Sequence, residues 1–195
     1  MTTVLNRMPT NKKIIFGFVG LIASGKGTAN EYLKTKHHAS TYRFSTMLRD
    51  VLNRLYLEVN RENLQKISQI VRGNFGEDTL SKVIAEDVKR DSSPIISIDG
   101  IRRPDDAKFL SQIPGFVMIN IFADMEKRFE RITKRGENTD DTKKTFEQFK
   151  LDHEQEAELK ILEIAQEATE KIDNSGSYED LHRQLDGLVK KYSSI

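Results

Sequence analysis

The sequence predicts an α/β fold, a five-stranded parallel sheet with helices on both faces. Three observations carry this expectation. Short apolar runs alternate with helical stretches from Ile14 almost to the end of the chain. The first run, Ile14 to Val19, is rich in branched residues and apolar at nearly every position, as a strand buried on both faces must be. It passes through a glycine-rich turn straight into a helical pattern, the sequence form of a strand–turn–helix unit.

The elements follow in order. After the strand Ile14 to Val19, helical character runs from Thr28 to Lys36, and Thr41 to Ser45 reads as a short strand. Met47, Leu48, Val51, Leu52 and Leu55 form an apolar stripe at helical spacing, predicting a helix from Met47 to Tyr56. Helices are predicted over Leu64 to Arg72 and Leu80 to Lys89, parted by the turn-like GNFGED. Pro94 to Ile98 reads as a strand, Asp105 to Gln112 as a helix, and Phe116 to Phe122 as the longest strand. A basic helix, Met125 to Lys134, precedes a highly charged stretch, 136–158, which reads as a short solvated flap. Leu159 to Glu170 is a helix, Lys171 to Asp173 the last strand, and Ser177 to Tyr192 a closing helix. The phrase NSGSYED supplies that helix with a serine cap and acids in its first turn.

At 195 residues the chain is long enough to bury a substantial core, and it reads as one domain with residues 1–12 as a flexible lead-in. Acids and bases nearly cancel at a net charge of +1, which argues against a nucleic-acid partner. The absence of cysteine excludes disulfides, thiolate metal sites and thiol catalysis, and the four histidines lack metal-ligand spacing. No apolar run reaches the roughly 20 residues of a membrane span, and nothing at the start resembles a secretory signal. A cytoplasmic location is expected.

Chemistry is concentrated in Gly20-Leu-Ile-Ala-Ser-Gly25-Lys26-Gly27-Thr28, which fits the P-loop pattern G-x-x-x-x-G-K. Its glycines let successive N–H groups converge on one anion, the next helix offers its positive end, and Lys26 reaches the outer phosphates. Gly20, Ala23, Ser24, Gly25, Lys26, Gly27 and Thr28 are therefore the expected ATP-binding residues, in a three-layer P-loop NTPase fold of strand order 2-3-1-4-5. The residue after the lysine is Gly27, so Mg²⁺ is expected to be held mainly through water and the nucleotide, with Thr28 as an outer neighbour.

The form GKGT resembles adenylate kinase and its nucleoside-monophosphate kinase relatives, and the likeness continues in scattered blocks to Arg135. FSTMLRDVL resembles the segment where those enzymes place a hydroxyl and an arginine on the acceptor's phosphate. That implies Ser45 or Thr46 as the hydroxyl and Arg49 as the phosphate ligand. SIDGIRRPDDAKFL is similar to their D-G-F-P-R segment, implying Asp99 near Mg²⁺ and Arg102 or Arg103 on the acceptor side. ADMEKRFERITKR resembles the helix leading to their lid, implying Arg131 and Arg135 as the pair that neutralises the transferring phosphoryl group. On this likeness residues 46–92 would form a helical acceptor-binding insertion and 136–158 a lid. IDGIR and the ending KIDNSGSYEDL look closer to a group of nucleotide kinase-like P-loop proteins, and the ending also resembles dephospho-CoA kinase.

The acceptor follows from what is missing. Dephospho-CoA, shikimate and gluconate kinases carry an aspartate near the end of the second strand, where a hydroxyl acceptor needs a base. This chain has Phe44-Ser45-Thr46 there, with no acid before Asp50. A phosphate acceptor arrives ionised and needs a cationic grip instead, which favours a nucleoside or deoxynucleoside monophosphate. A hydroxyl-directed kinase and a nucleotide-binding regulatory ATPase are the alternatives. The expected partner is a small phosphate acceptor, with no nucleic acid and no membrane.

Overall fold

The computed structural model describes residues 13–135, 145–152 and 156–194. Five strands form one parallel sheet: β1 (Ile14–Val19), β2 (Ser40–Arg43), β3 (Ile95–Ile101), β4 (Phe116–Phe122) and β5 (Glu170–Asp173), in the order β2-β3-β1-β4-β5. The predicted architecture and strand order are thus both present. β1 lies between β3 and β4, with Phe18 opposite Asp99 and Ile119.

The alternation of β1 divides the core. Phe16 and Phe18 face one layer, where α1 (Lys26–His37) and α9 (Tyr178–Ser193) bring Leu33, Leu181 and Leu185. Ile15 and Val19 face the other, covered by α2 (Phe44–Arg54), α4 (Thr79–Arg90) and α8 (Glu156–Gln166), with α3 (Arg61–Phe75) packed outside. Because both faces are covered, the strands need apolar residues at consecutive positions rather than alternate ones. The remaining helices are α5 (Pro104–Ala107), α6 (Met125–Arg135) and α7 (Phe146–Asp152).

Several boundaries differ from expectation for local reasons. The strand expected to end at Ser45 stops at Arg43, because Phe44 already opens α2. β3 runs three residues past Ile98 to Ile101, so Asp99 lies inside the strand rather than beyond it. α3 continues through the expected turn to Phe75 and stops at Gly76, whose φ of 109° ends the helix. The helix expected from Asp105 to Gln112 is only α5. Beyond it the chain forms tight turns, with Ile113 N–H on the Leu110 carbonyl at 3.0 Å. Residues 1–12 of the expected lead-in and 136–144 and 153–155 of the expected flap lie outside the described residues.

Candidate active site

The turn between β1 and α1 has the backbone of an anion cradle. Ala23 and Gly25 both take left-handed conformations, at φ 59° and 106°, which curls the main chain around a hollow at the start of α1. Two glycines are sterically required. A Cβ on Gly20 would overlap the Ile121 carbonyl oxygen, and one on Gly25 would overlap the Asn174 side-chain nitrogen. Ser24 is fully buried within the loop, and Thr28 is exposed on the first turn of α1. Lys26 Nζ donates to the carbonyls of Gly20 at 2.7 Å and Leu21 at 3.0 Å, which lays the side chain along the loop.

Asn174, directly after β5, braces this loop. Its Nδ2 donates to the Ser24 carbonyl at 2.8 Å, and its own carbonyl accepts from Arg131 Nη2 at 2.8 Å. Arg131 is thereby drawn from α6 toward the cradle, and its other terminal nitrogen, Nη1, is buried without a hydrogen-bond partner. Arg135 closes the same helix, but its side chain lies outside the described part of the structure. A third arginine of α6, Arg128, is 4% exposed; it donates to the carbonyls of Ala123 and Ile22 and lies over the ring of Phe149. Neither Asn174 nor Arg128 was singled out from the sequence. Asn174 reads there as a turn residue, and Arg128 as one more charge on a solvated helix.

The other side of the cradle is built from the carboxyl ends of β2 and β3. Arg43 and Asp99 are register partners on neighbouring strands and so carry their side chains on the same face. Arg43 Nε and Nη2 both reach Asp99 Oδ2 at 3.1 Å. Asp99 is 7% exposed, and its Oδ1 is buried without a hydrogen-bond partner. Arg43 is not among the predicted site residues, because its pairing with Asp99 depends on a register between β2 and β3 that the sequence does not fix. Beside it opens a cleft of about 240 Å³ lined by Gly27, Asn30 and Glu31 of α1, Thr41, Tyr42 and Arg43 of β2 and Thr46 of α2.

Of the expected acceptor residues, Ser45 is half-buried at the start of α2. Arg49 and Arg102 are exposed, and their side chains make no hydrogen bond or ion pair among the described residues. Arg103 turns away to pair with Glu77 at 3.1 Å. The loop carrying Arg102 and Arg103 is set by Asp106, whose Oδ2 accepts both of their backbone N–H groups at 3.0 and 3.2 Å. Asp106 is in turn held by buried Arg72 at 2.6 Å. Next to Arg43 on β2, Tyr42 donates to Asp91 at 2.9 Å. Burial and that hydrogen bond push the Tyr42 hydroxyl up to about 12. Burial opposes the ionisation of Asp91, but hydrogen bonds from the Ser93 backbone N–H and the Ser40, Ser93 and Tyr42 hydroxyls outweigh it and lower its carboxyl to about 2.

Among the described residues there is no group of three or more His, Cys, Asp or Glu able to hold a metal ion, and no helix long and apolar enough to cross a membrane.

The family model for the AAA domain (AAA_17) matches residues 19–150, a stretch that begins one residue before the cradle. A UPF0200 protein of Methanosarcina acetivorans is 25% identical over 180 residues, covering 91% of this chain and 95% of the relative. A UPF0200 protein of Methanoregula boonei is 30% identical over 129 residues, covering 65% of this chain and 69% of the relative. Among solved structures, shikimate kinase from Aquifex aeolicus matches at a TM-score of 0.59 and 17% identity, over 91% of this chain and 96% of that one. At that identity the likeness bears on the fold, which is P-loop kinase-like. The chain belongs to the AAA domain family and, with it, to the UPF0200 proteins.

Proposed function

We propose that the protein is an ATP-dependent phosphotransferase that moves the γ-phosphate of ATP to a nucleoside monophosphate. One observation carries the choice of acceptor. The carboxyl end of β2 presents Arg43, Phe44 and Ser45, and the buried carboxylate beside them, Asp99, is bound to Arg43. A guanidinium thus stands where a hydroxyl acceptor would need a base. An acceptor that brings its own ionised oxygen is served by this arrangement, and Arg49 and Arg102 supply further exposed cations on that side.

The cradle fits a nucleoside triphosphate. Its left-handed turn at Ala23 and Gly25, the amino end of α1 and Lys26 make a surface for phosphate oxygens, while Arg131 approaches from the β5 side. Mg²⁺ bound with the nucleotide would neutralise the β- and γ-oxygens, and Thr28 and the unpartnered Oδ1 of Asp99 are the groups that would reach its waters. Lys26 would exchange its two carbonyl partners for phosphate. Alignment of the two ligands and the convergence of cations then lower the barrier.

A second reading rests on that same Asp99 Oδ1, which could serve as the base of a hydroxyl-directed kinase. One experiment separates the two. Purified protein with Mg·ATP is incubated with the nucleoside monophosphates, dephospho-CoA and shikimate, and products are identified by mass. Nucleoside diphosphate is the expected product, and Lys26→Ala should abolish its formation while leaving the fold intact. ATP consumption that ignores the whole panel would refute a transferase.

A further inference from the structure

The 240 Å³ cleft between α1, β2 and α2 adjoins the cradle at Gly27 and extends away from it along β2. Asn30 lines it, is 8% exposed, and its carboxamide makes no hydrogen bond among the described residues; its Oδ1 is one of the few buried polar atoms without a partner. Leaving such a group unpaired costs about 1–3 kcal/mol, so its retention points to a ligand. Around it stand the hydroxyls of Thr41 and Thr46, the carboxylate of Glu31 and the Arg43 guanidinium, pinned by Asp99. β2 is an edge strand, so alternate main-chain groups there are also free of β3.

This mixture of donors and acceptors selects its ligand. A phosphate lodged inside the cleft would meet the Glu31 carboxylate. A nucleobase needs apolar faces on both sides of its ring, and Tyr42 is the one aromatic residue in an otherwise polar lining. Ligand pockets for whole drug-sized molecules run about 300–1,000 Å³, so this cleft suits one fragment. A group whose hydroxyls donate and accept in turn satisfies amide, carboxylate and guanidinium together. Resting on the nucleoside-monophosphate reading, we infer that the Asn30–Arg43 cleft holds the acceptor's sugar and discriminates ribose from 2′-deoxyribose. The cleft meets the cradle at Gly27, next to Lys26, so a sugar held there leaves its phosphate beside the transfer line.

The test compares each ribonucleoside monophosphate with its 2′-deoxy counterpart, by product-identified kcat/KM and by calorimetric dissociation constants. One hydroxyl hydrogen bond corresponds to a preference for ribose of about tenfold. Asn30→Ala should bring the ratio to within about twofold of unity in both measurements. Thr46→Val, an exposed change that cannot disturb the core, should reduce it in the same direction. A wild-type ratio near one, or a ratio unmoved by either variant, overturns the inference while leaving the phosphotransferase reading standing. Failure to phosphorylate any monophosphate overturns that reading itself, and the inference falls with it.

Discussion

Gly25 and Asn174 compete for the same space, and the structure fixes what that is worth. In the Gly25→Ala variant the residue must keep a left-handed conformation, which costs about 1–2 kcal/mol. Its Cβ also evicts the Asn174 side chain, breaking the 2.8 Å bond to the Ser24 carbonyl. Ser24 is fully buried, so its carbonyl is left without that donor at a further cost of about 1–3 kcal/mol. Asn174→Ala alone loses the same bond and no more. The double variant loses it once and keeps the backbone strain. Together the two changes should therefore destabilise by about 2 kcal/mol less than their separate effects added. Urea unfolding of the wild type and the three variants measures this directly. Effects that add to within about 0.5 kcal/mol would mean the two side chains do not share that space and Asn174 does not brace the loop.

Three further outcomes follow. Arg49→Ala should raise the acceptor's KM at least about tenfold, the worth of one charged hydrogen bond, and move that of ATP by less than about twofold; equal losses would remove Arg49 from the acceptor side. Arg72→Ala should destabilise by about 3–5 kcal/mol, because Asp106, 2% exposed, is left as an unpaired buried charge; a loss below about 1 kcal/mol in urea titration would contradict that. Asp91 has its carboxyl lowered from 3.8 to about 2 in the folded protein, so the stability it contributes is present above about pH 4 and is lost as pH falls toward 2. That contribution is about 2 kcal/mol or less, and Asp91→Asn should flatten the acid limb of the stability curve by the same amount; an unaltered limb would contradict the assignment.

Much of this was legible in sequence because period and punctuation are local signals. Ile14 to Val19 and Phe116 to Phe122 could only be buried strands, and both have the predicted bounds. The glycines and lysine of the cradle were legible for the same reason: the backbone conformation they permit is a property of nine consecutive residues. What sequence could not show depends on pairing across distance. Arg43 reads as a polar residue in the middle of a short strand until its alignment with Asp99, 56 residues away, puts the two on one face. Arg103 looks as available as Arg102 until Glu77 claims it. Arg128 looks solvated until the Phe149 ring and the Ile22 carbonyl close around it.

The hydrogen-bonded knot of Ser40, Asp91 and Ser93, and Lys13 capping the carbonyls of Val88 and Lys89, sit at the foot of the sheet. The cradle and its arginines occupy the top. Robustness and chemistry are therefore held at opposite ends of the sheet. The upper loops can therefore be rewritten while the anchoring below goes untouched. An engineer could harden the base without disturbing the cradle above it.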